Sequence, residues 1–219
     1  MSARSEILDR LRGALADVDG APDPQVGHRT MPTTMQGAGL PAEGVLERFT
    51  EMVRDYRATV QSVTSADLPR AVAGALQVAG CSSVVVPTGL DDRWLSEVRH
   101  GPMRVVAEQE VDTAGLDGVD AVVTAAAVGI ATTGTIVLDH GPDQGRRALS
   151  LVPDTHVCVV RAEQVVADVP QAVARLHPEA EAAQPQTWIS GPSATSDIEL
   201  ERVEGVHGPR TLMVLLVTD

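Results

Sequence analysis

The chain has 219 residues, which suits one domain with a small N-terminal appendage and a sizeable buried core. Hydrophobic residues make up 43% and aromatics only 2%, so Val, Leu, Ile and Ala must build the interior and few rings remain for stacking on bases. The formal net charge of −13 repels a phosphate backbone and an anionic membrane alike; this excludes nucleic acid and membrane as partners, yet leaves room for a small anionic ligand at a site of opposite local sign.

Residues 2–16 read as an amphipathic helix, with Ile7, Leu8, Leu11 and Leu15 on one face. The charges spread through this stretch fit neither a signal peptide nor a membrane span, and a reducing cytoplasm is the expected location. Residues 17–42 lose periodicity and carry Pro22, Pro24, Pro32 and Pro41, the marks of a long arm. The domain boundary is therefore drawn at 42, and the leading helix is free to dock on its own domain or on a partner. Helical spacing resumes over 43–58, through Val45, Leu46, Phe49, Met52, Val53 and Tyr56.

From residue 59 onward short apolar runs alternate with helical segments. The expected strands are Thr59–Val63, Ser83–Val86, Arg104–Ala107, Ala121–Thr124, Thr135–Leu138, Val157–Val160, Trp188–Ser190 and Leu212–Val217. Runs such as "SVVVP", "DAVVTAA" and "LMVLLV" are continuous rather than alternating, which suits strands covered on both faces. The fold class that follows is α/β, a mostly parallel sheet flanked by helices. One helix spans 66–79, with Gly80 as its stop. Another pattern near 162–176 contains Pro170, which predicts two short helices.

Ligands of open α/β sheets sit beyond the carboxyl ends of the strands. Three stretches leave strands with suitable chemistry: "VPTGLDD" (86–92), "VTAAAVGIATTGT" (123–135) and the segment after Ser190. In the last, Gly191 allows a close backbone approach or a φ that a Cβ forbids, and Ser193, Thr195 and Ser196 supply hydroxyls. Ser196-Asp197-Ile198-Glu199 fits a capping box, so a helix or turn is expected to start there with N–H groups available to an anion. In "GVHGPR", His207 precedes Gly208, Pro209 and Arg210; the arginine can clamp an anion or pair with Asp197 or Glu199 and pin the loop. Thr133, Gly134 and Thr135 form a hydroxyl-rich turn without the lysine of a Walker motif, and no dinucleotide fingerprint is present. Arg146 and Arg147 form an adjacent basic pair, either a local anion lure or a solvated loop face.

The six histidines are scattered with no zinc-motif spacing. Cys81 and Cys158 read as reduced core thiols, too few for a four-thiolate cluster within one chain.

"GIATTGTIVL", "RRALSLVPDTHVCVV", "ISGPSATSDIE" and "GVHGPR", in that order, resemble the LUD-domain family over about residues 45–219. The resemblance implies the fold shared by ribose-5-phosphate isomerase, glucosamine-6-phosphate isomerase, CoA transferases and 5-formyltetrahydrofolate cyclo-ligase, here with an N-terminal helical extension. It also implies a part in a bacterial system that oxidises L-lactate to pyruvate alongside iron–sulfur proteins. Those clusters would sit in the partner subunits, with no cofactor or metal in this chain. The family often places an acid before Thr-Gly-Thr, where this chain has Thr132.

One functional reading is thus an accessory subunit carrying a pocket for a small anionic metabolite. That pocket would be lined by Thr133, Gly134, Thr135, Arg146, Ser190, Gly191, Ser193, Thr195, Gly208 and Arg210. The other is an enzyme or a sensor acting on a small phosphorylated or carboxylated metabolite. In the enzyme, His207 serves as acid or base, Asp197 or Glu199 orients it and Arg210 holds the anion.

Overall fold

Six parallel strands form one sheet, in the spatial order Thr59–Val63, Thr211–Val217, Thr155–Arg161, Ala121–Ala125, Ser83–Val86 and Arg104–Ala107. The structure is a computed structural model and describes residues 3–14, 44–176, 185–195, 203–204 and 208–219. The chain falls into two units, residues 1–35 and 36–219. In the first, helix α1 spans Ala3–Ala14, with Arg10 paired to Glu6 and Arg12 to Asp9 one turn apart.

The second unit starts with α2 (Val45–Asp55), β1 (Thr59–Val63), α3 (Leu68–Val78) and β2 (Ser83–Val86). It continues through α4 (Ser96–His100), β3 (Arg104–Ala107), β4 (Ala121–Ala125), β5 (Val128–Ile130), β6 (Thr135–Leu138) and β7 (Thr155–Arg161). The last elements are β8 (Val165–Val166), α5 (Val169–Leu176), β9 (Thr187–Ile189), β10 (Ala194–Thr195), β11 (Val203–Glu204) and β12 (Thr211–Val217). Helix α3 stops where expected. Gly80 takes a φ of 72°, and Cys81 and Gly80 return N–H bonds to the carbonyls of Leu76 and Gln77.

The continuous apolar runs are continuous because both faces of the central sheet are covered. Val84, Val86, Val123, Val157, Val159, Leu215 and Val217 pack on one face against α3, Trp94, Leu95 and Val98. On the other face, Cys158, Val160, Leu212, Val214 and Leu216 meet Phe49 and Val53 of α2 and Ile136 and Leu138 of β6. That face is covered by a second sheet, not by helices alone. Strands β8-β5-β6-β9 form it, with β5 and β9 antiparallel to β6 and β8 parallel to β5. Two of the expected strands, around 135–138 and 188–190, therefore belong to this mixed sheet and not to the parallel one.

The pattern near 162–176 also resolves differently. Residues 162–164 make a 3-10 turn, 165–166 form β8, and only α5 is helical. Pro170 sits in the first turn of α5, where a missing N–H costs nothing.

Candidate functional site

At the carboxyl end of the central sheet, three loops knit together. The loop after β2 bonds the loop after β6: Gly89 N–H donates to the Pro142 carbonyl at 2.8 Å. A Cβ on Gly89 would stand 2.7 Å from that carbonyl carbon, so only glycine fits. The Gln109 side chain bonds the Thr88 hydroxyl. Arg146 belongs to this knot. Its guanidinium donates to the carbonyls of Val111 (2.6 Å) and Glu108 (3.3 Å), and its backbone N–H donates to the Glu108 carboxylate (2.9 Å). Arg146 thus holds the 108–111 segment through two guanidinium nitrogens, while its buried Nε has no hydrogen-bond partner. Arg147, beside it, is exposed.

The amino end differs. A cavity of about 260 Å³ opens beside the first residues of β7 and β12 and runs along β9. Ser190, Gly191, Ser193 and Gly208 line it, together with Ser150 and His156. Gly191 and Gly134 explain how the walls are set. Gly191 has a φ of 81°, and a Cβ there would lie 2.7 Å from the Tyr56 carbonyl oxygen. Gly134 has a φ of 60°, and its Cβ would lie 2.6 Å from the Met52 carbonyl carbon. Both turns thus dock on the end of α2, and a chain of hydroxyls links them. Thr133 Oγ1 lies 2.7 Å from Thr135 Oγ1, which lies 2.9 Å from Ser190 Oγ at the cavity wall. Ser190, Gly191, Ser193 and Gly208 thus stand at the cavity wall at the amino end of the sheet, with Thr133, Gly134 and Thr135 behind them and outside the lining.

Arg210 stands outside the lining residues of this cavity. Its guanidinium pairs with Asp154 at 3.1 Å, both side chains more than half exposed. Backbone contacts do the pinning: Ser193 N–H donates to the Pro209 carbonyl at 2.8 Å. Thr195 lies in β10, its backbone opposite Val203 of β11. The side chain of Thr195, together with Asp197, Glu199, His207 and the capping box at 196–199, falls outside the described residues.

His156 is the residue sequence reasoning missed. It sits second in β7, 1% exposed, among strand neighbours that are nearly all apolar. Its Nε2 lies 2.7 Å from Thr124 Oγ1 on β4, whereas its Nδ1 has no hydrogen-bond partner. Burial lowers its pKa to about 4, so the imidazole is neutral at physiological pH. The Thr124 hydroxyl also reaches Cys158 Sγ at 3.8 Å, and the thiol reaches the Ala125 carbonyl at 3.8 Å. Desolvation pushes that thiol up to about 12, so it keeps its proton. The one available signal was the polar interruption "THVC" opening an otherwise apolar strand.

A second histidine, His140, is fully bonded instead. Its Nδ1 lies 3.0 Å from the Gly145 carbonyl and its Nε2 2.9 Å from Thr187 Oγ1. At the same amino end, Asp120 Oδ2 accepts from the backbone and hydroxyl groups of Ser82 and Ser83, which lowers its pKa to about 2 and ties β2 to β4. Among the described residues no group of three or more His, Cys, Asp or Glu side chains could hold a metal ion, and no helix is long and apolar enough to cross a membrane.

The comparisons with known proteins agree with this architecture. A family model of the LUD domain matches residues 46–217. The chain belongs to the LUD-domain family. Lactate utilization protein C of Deinococcus radiodurans is 48% identical over 180 residues, 82% of each chain. The protein of the same name from Geobacillus thermodenitrificans is 29% identical over 83% of this chain and 82% of its own. The crystal structure of a DUF162 family protein from Deinococcus radiodurans superposes with a TM-score of 0.69 at 42% identity, covering 82% of this chain and 99% of that one. Within this LUD domain, the hydroxyl-lined cavity, the two left-handed glycines and His156 form the best-built candidate site.

Proposed function

We propose that this chain is a lactate-utilization subunit that works in the cytoplasm alongside iron–sulfur partner proteins and carries a pocket for a small anionic metabolite. The observation that carries the reading is the 48% identity, over 82% of both chains, to a protein named lactate utilization protein C. Its two cysteines support placing any redox cluster in partners: Cys158 is buried on one face of the sheet, and half-buried Cys81 packs against the core of the other.

The cavity at the amino ends of β7 and β12 supports the ligand. At about 260 Å³ it falls just below the range of about 300–1,000 Å³ typical of drug-sized sites, which suits a metabolite of a few carbons and not a dinucleotide. Serine hydroxyls would meet a carboxylate there, since neither Arg146 nor Arg210 is among the residues that line the cavity.

Deleting the gene and following growth on L-lactate as sole carbon source tests the reading, with capture of the tagged native chain from lactate-grown cells as its companion. Loss of growth, with iron–sulfur proteins recovered on the tagged chain, is the expected result. Undiminished growth overturns the role, and capture without any iron–sulfur protein overturns the partnership.

A further inference from the structure

The bond between His140 and Thr187 has a direction. The Gly145 carbonyl can only accept, so His140 Nδ1 carries a proton and donates it across 3.0 Å. In the neutral ring Nε2 is then the bare nitrogen, and it accepts the Thr187 hydroxyl proton across 2.9 Å. A hydroxyl held on an imidazole lone pair, with the other ring nitrogen fixed by an acceptor, is the arrangement that activates a nucleophile. This hydroxyl belongs to the cavity. Trp188 is 41% exposed, so the alternation of β9 turns its neighbours Thr187 and Ile189 to the opposite, inner face. There Ile189 packs on the core and half-buried Thr187 lines the cavity.

The histidine is held in place against the ordinary backbone preference. Its φ of 59° makes it one of two non-glycine residues with a positive φ among the described residues. The buried Gln144 sustains that turn: its side-chain oxygen accepts from the backbone N–H groups of Asp139 at 2.7 Å and His140 at 3.2 Å. The same loop is tied to the central sheet, where Ala125 N–H donates to the Asp143 carbonyl at 3.0 Å. Strained backbone that its surroundings hold fixed collects at sites where the placing of a side chain matters.

We infer that Thr187 is a nucleophile with His140 as its general base, so that the cavity takes a small acyl group from an ester and passes it to water. Thr187 Oγ1 bonds to the acyl carbon as its proton moves to His140 Nε2. The bond from that carbon to the ester oxygen breaks, and the leaving oxygen takes the proton from Nε2. Water then attacks the acyl-threonine, giving a proton to Nε2, and the acid leaves as Thr187 Oγ1 recovers that proton. Nothing is oxidised or reduced: ester and water become acid and alcohol. The cavity of about 260 Å³ limits the acyl group to a few carbons. This activity stands apart from the lactate-utilization role, and neither depends on the other.

The full-length chain and p-nitrophenyl acetate decide this. The expected result is release of p-nitrophenolate, with an acetyl group found on Thr187 by peptide mass spectrometry after an acid quench. The sequence contains no lysine, so amine acetylation is confined to the N-terminus and the background is low. Thr187→Ser should keep the label and Thr187→Val should lose it. His140→Asn removes the base but keeps a residue that tolerates the left-handed φ, and should slow labelling by about 100-fold or more. Should the asparagine variant not fold, the two variants at position 187 still decide whether that hydroxyl is the nucleophile. A folded wild-type chain that gains no acetyl group on Thr187 overturns the inference. So does a label that sits on another hydroxyl, or one that forms as fast in His140→Asn as in the wild type.

Discussion

The two ends of the central sheet carry similar inventories and use them differently. At the carboxyl end, the groups that look like ligand-binding chemistry bond one another: Arg146 to the 108–111 segment, Gly89 to Pro142, Gln109 to Thr88. At the amino end, serine hydroxyls and the buried His156 line a cavity. The difference lies in access: the carboxyl-end loops close on one another, whereas at the amino end Ser190, itself bonded to Thr135, stands at a cavity wall. The general preference of α/β sheets for ligands at the carboxyl ends reflects where loops converge. Here that convergence has been closed by the loops themselves.

The largest effect should come from breaking the closed end. Arg146→Met keeps the aliphatic stem but removes two donors from partly buried carbonyls and should cost about 2–5 kcal/mol in urea unfolding. The variant should keep the thermal shift caused by any cavity ligand. A lost shift in a folded variant would merge the two ends into one site and break the contrast.

The open end should betray itself through pH. His156 has a folded pKa of about 4, below its ordinary value near 6.5, so between these values the unfolded chain binds more protons than the native one. Its contribution is complete above about pH 6.5 and is lost as pH falls towards 4, up to about 3 kcal/mol in all. Urea midpoints followed from pH 7 to 4 should fall along this slope, and His156→Asn should flatten it. Asp120 acts in a lower window: its carboxyl is held at about 2, so the stability it confers is present above about pH 4 and is lost as pH falls towards 2.

A smaller effect tests the wall between α2 and the cavity. Gly191→Ala must hold a left-handed φ against the Tyr56 backbone, at a cost of about 1–3 kcal/mol. Calorimetric melting of the variant should show it, together with weaker ligand binding as the turn shifts. The smallest change is expected from Arg210→Ala. Its exposed pair with Asp154 is worth about 0.2–1 kcal/mol, a loss that added salt should shrink. A collapse of ligand binding in that variant would restore the arginine to the site.

By itself the sequence determined the elements. Val84–Val86, Val157–Val160 and Leu212–Val217 are strands because continuous β-branched and aliphatic runs suit a doubly covered sheet, and Gly80 ends α3 because the left-handed turn is local chemistry. It also grouped the TTGT and SG turns as one candidate site, since hydroxyl and glycine signals are legible residue by residue. What the tertiary structure alone decided was availability. Thr124 reaches His156 across 32 residues of sequence, and Glu108 reaches Arg146 across 38. Neither partnership has a periodicity or a motif, because hydrogen bonds between strands and loops depend on which segments the sheet order places side by side. Which partner a polar side chain finds is a property of that neighbourhood: Arg146 reaches the carbonyls of Glu108 and Val111, and His156, passed over in the sequence, reaches Thr124 from the start of β7.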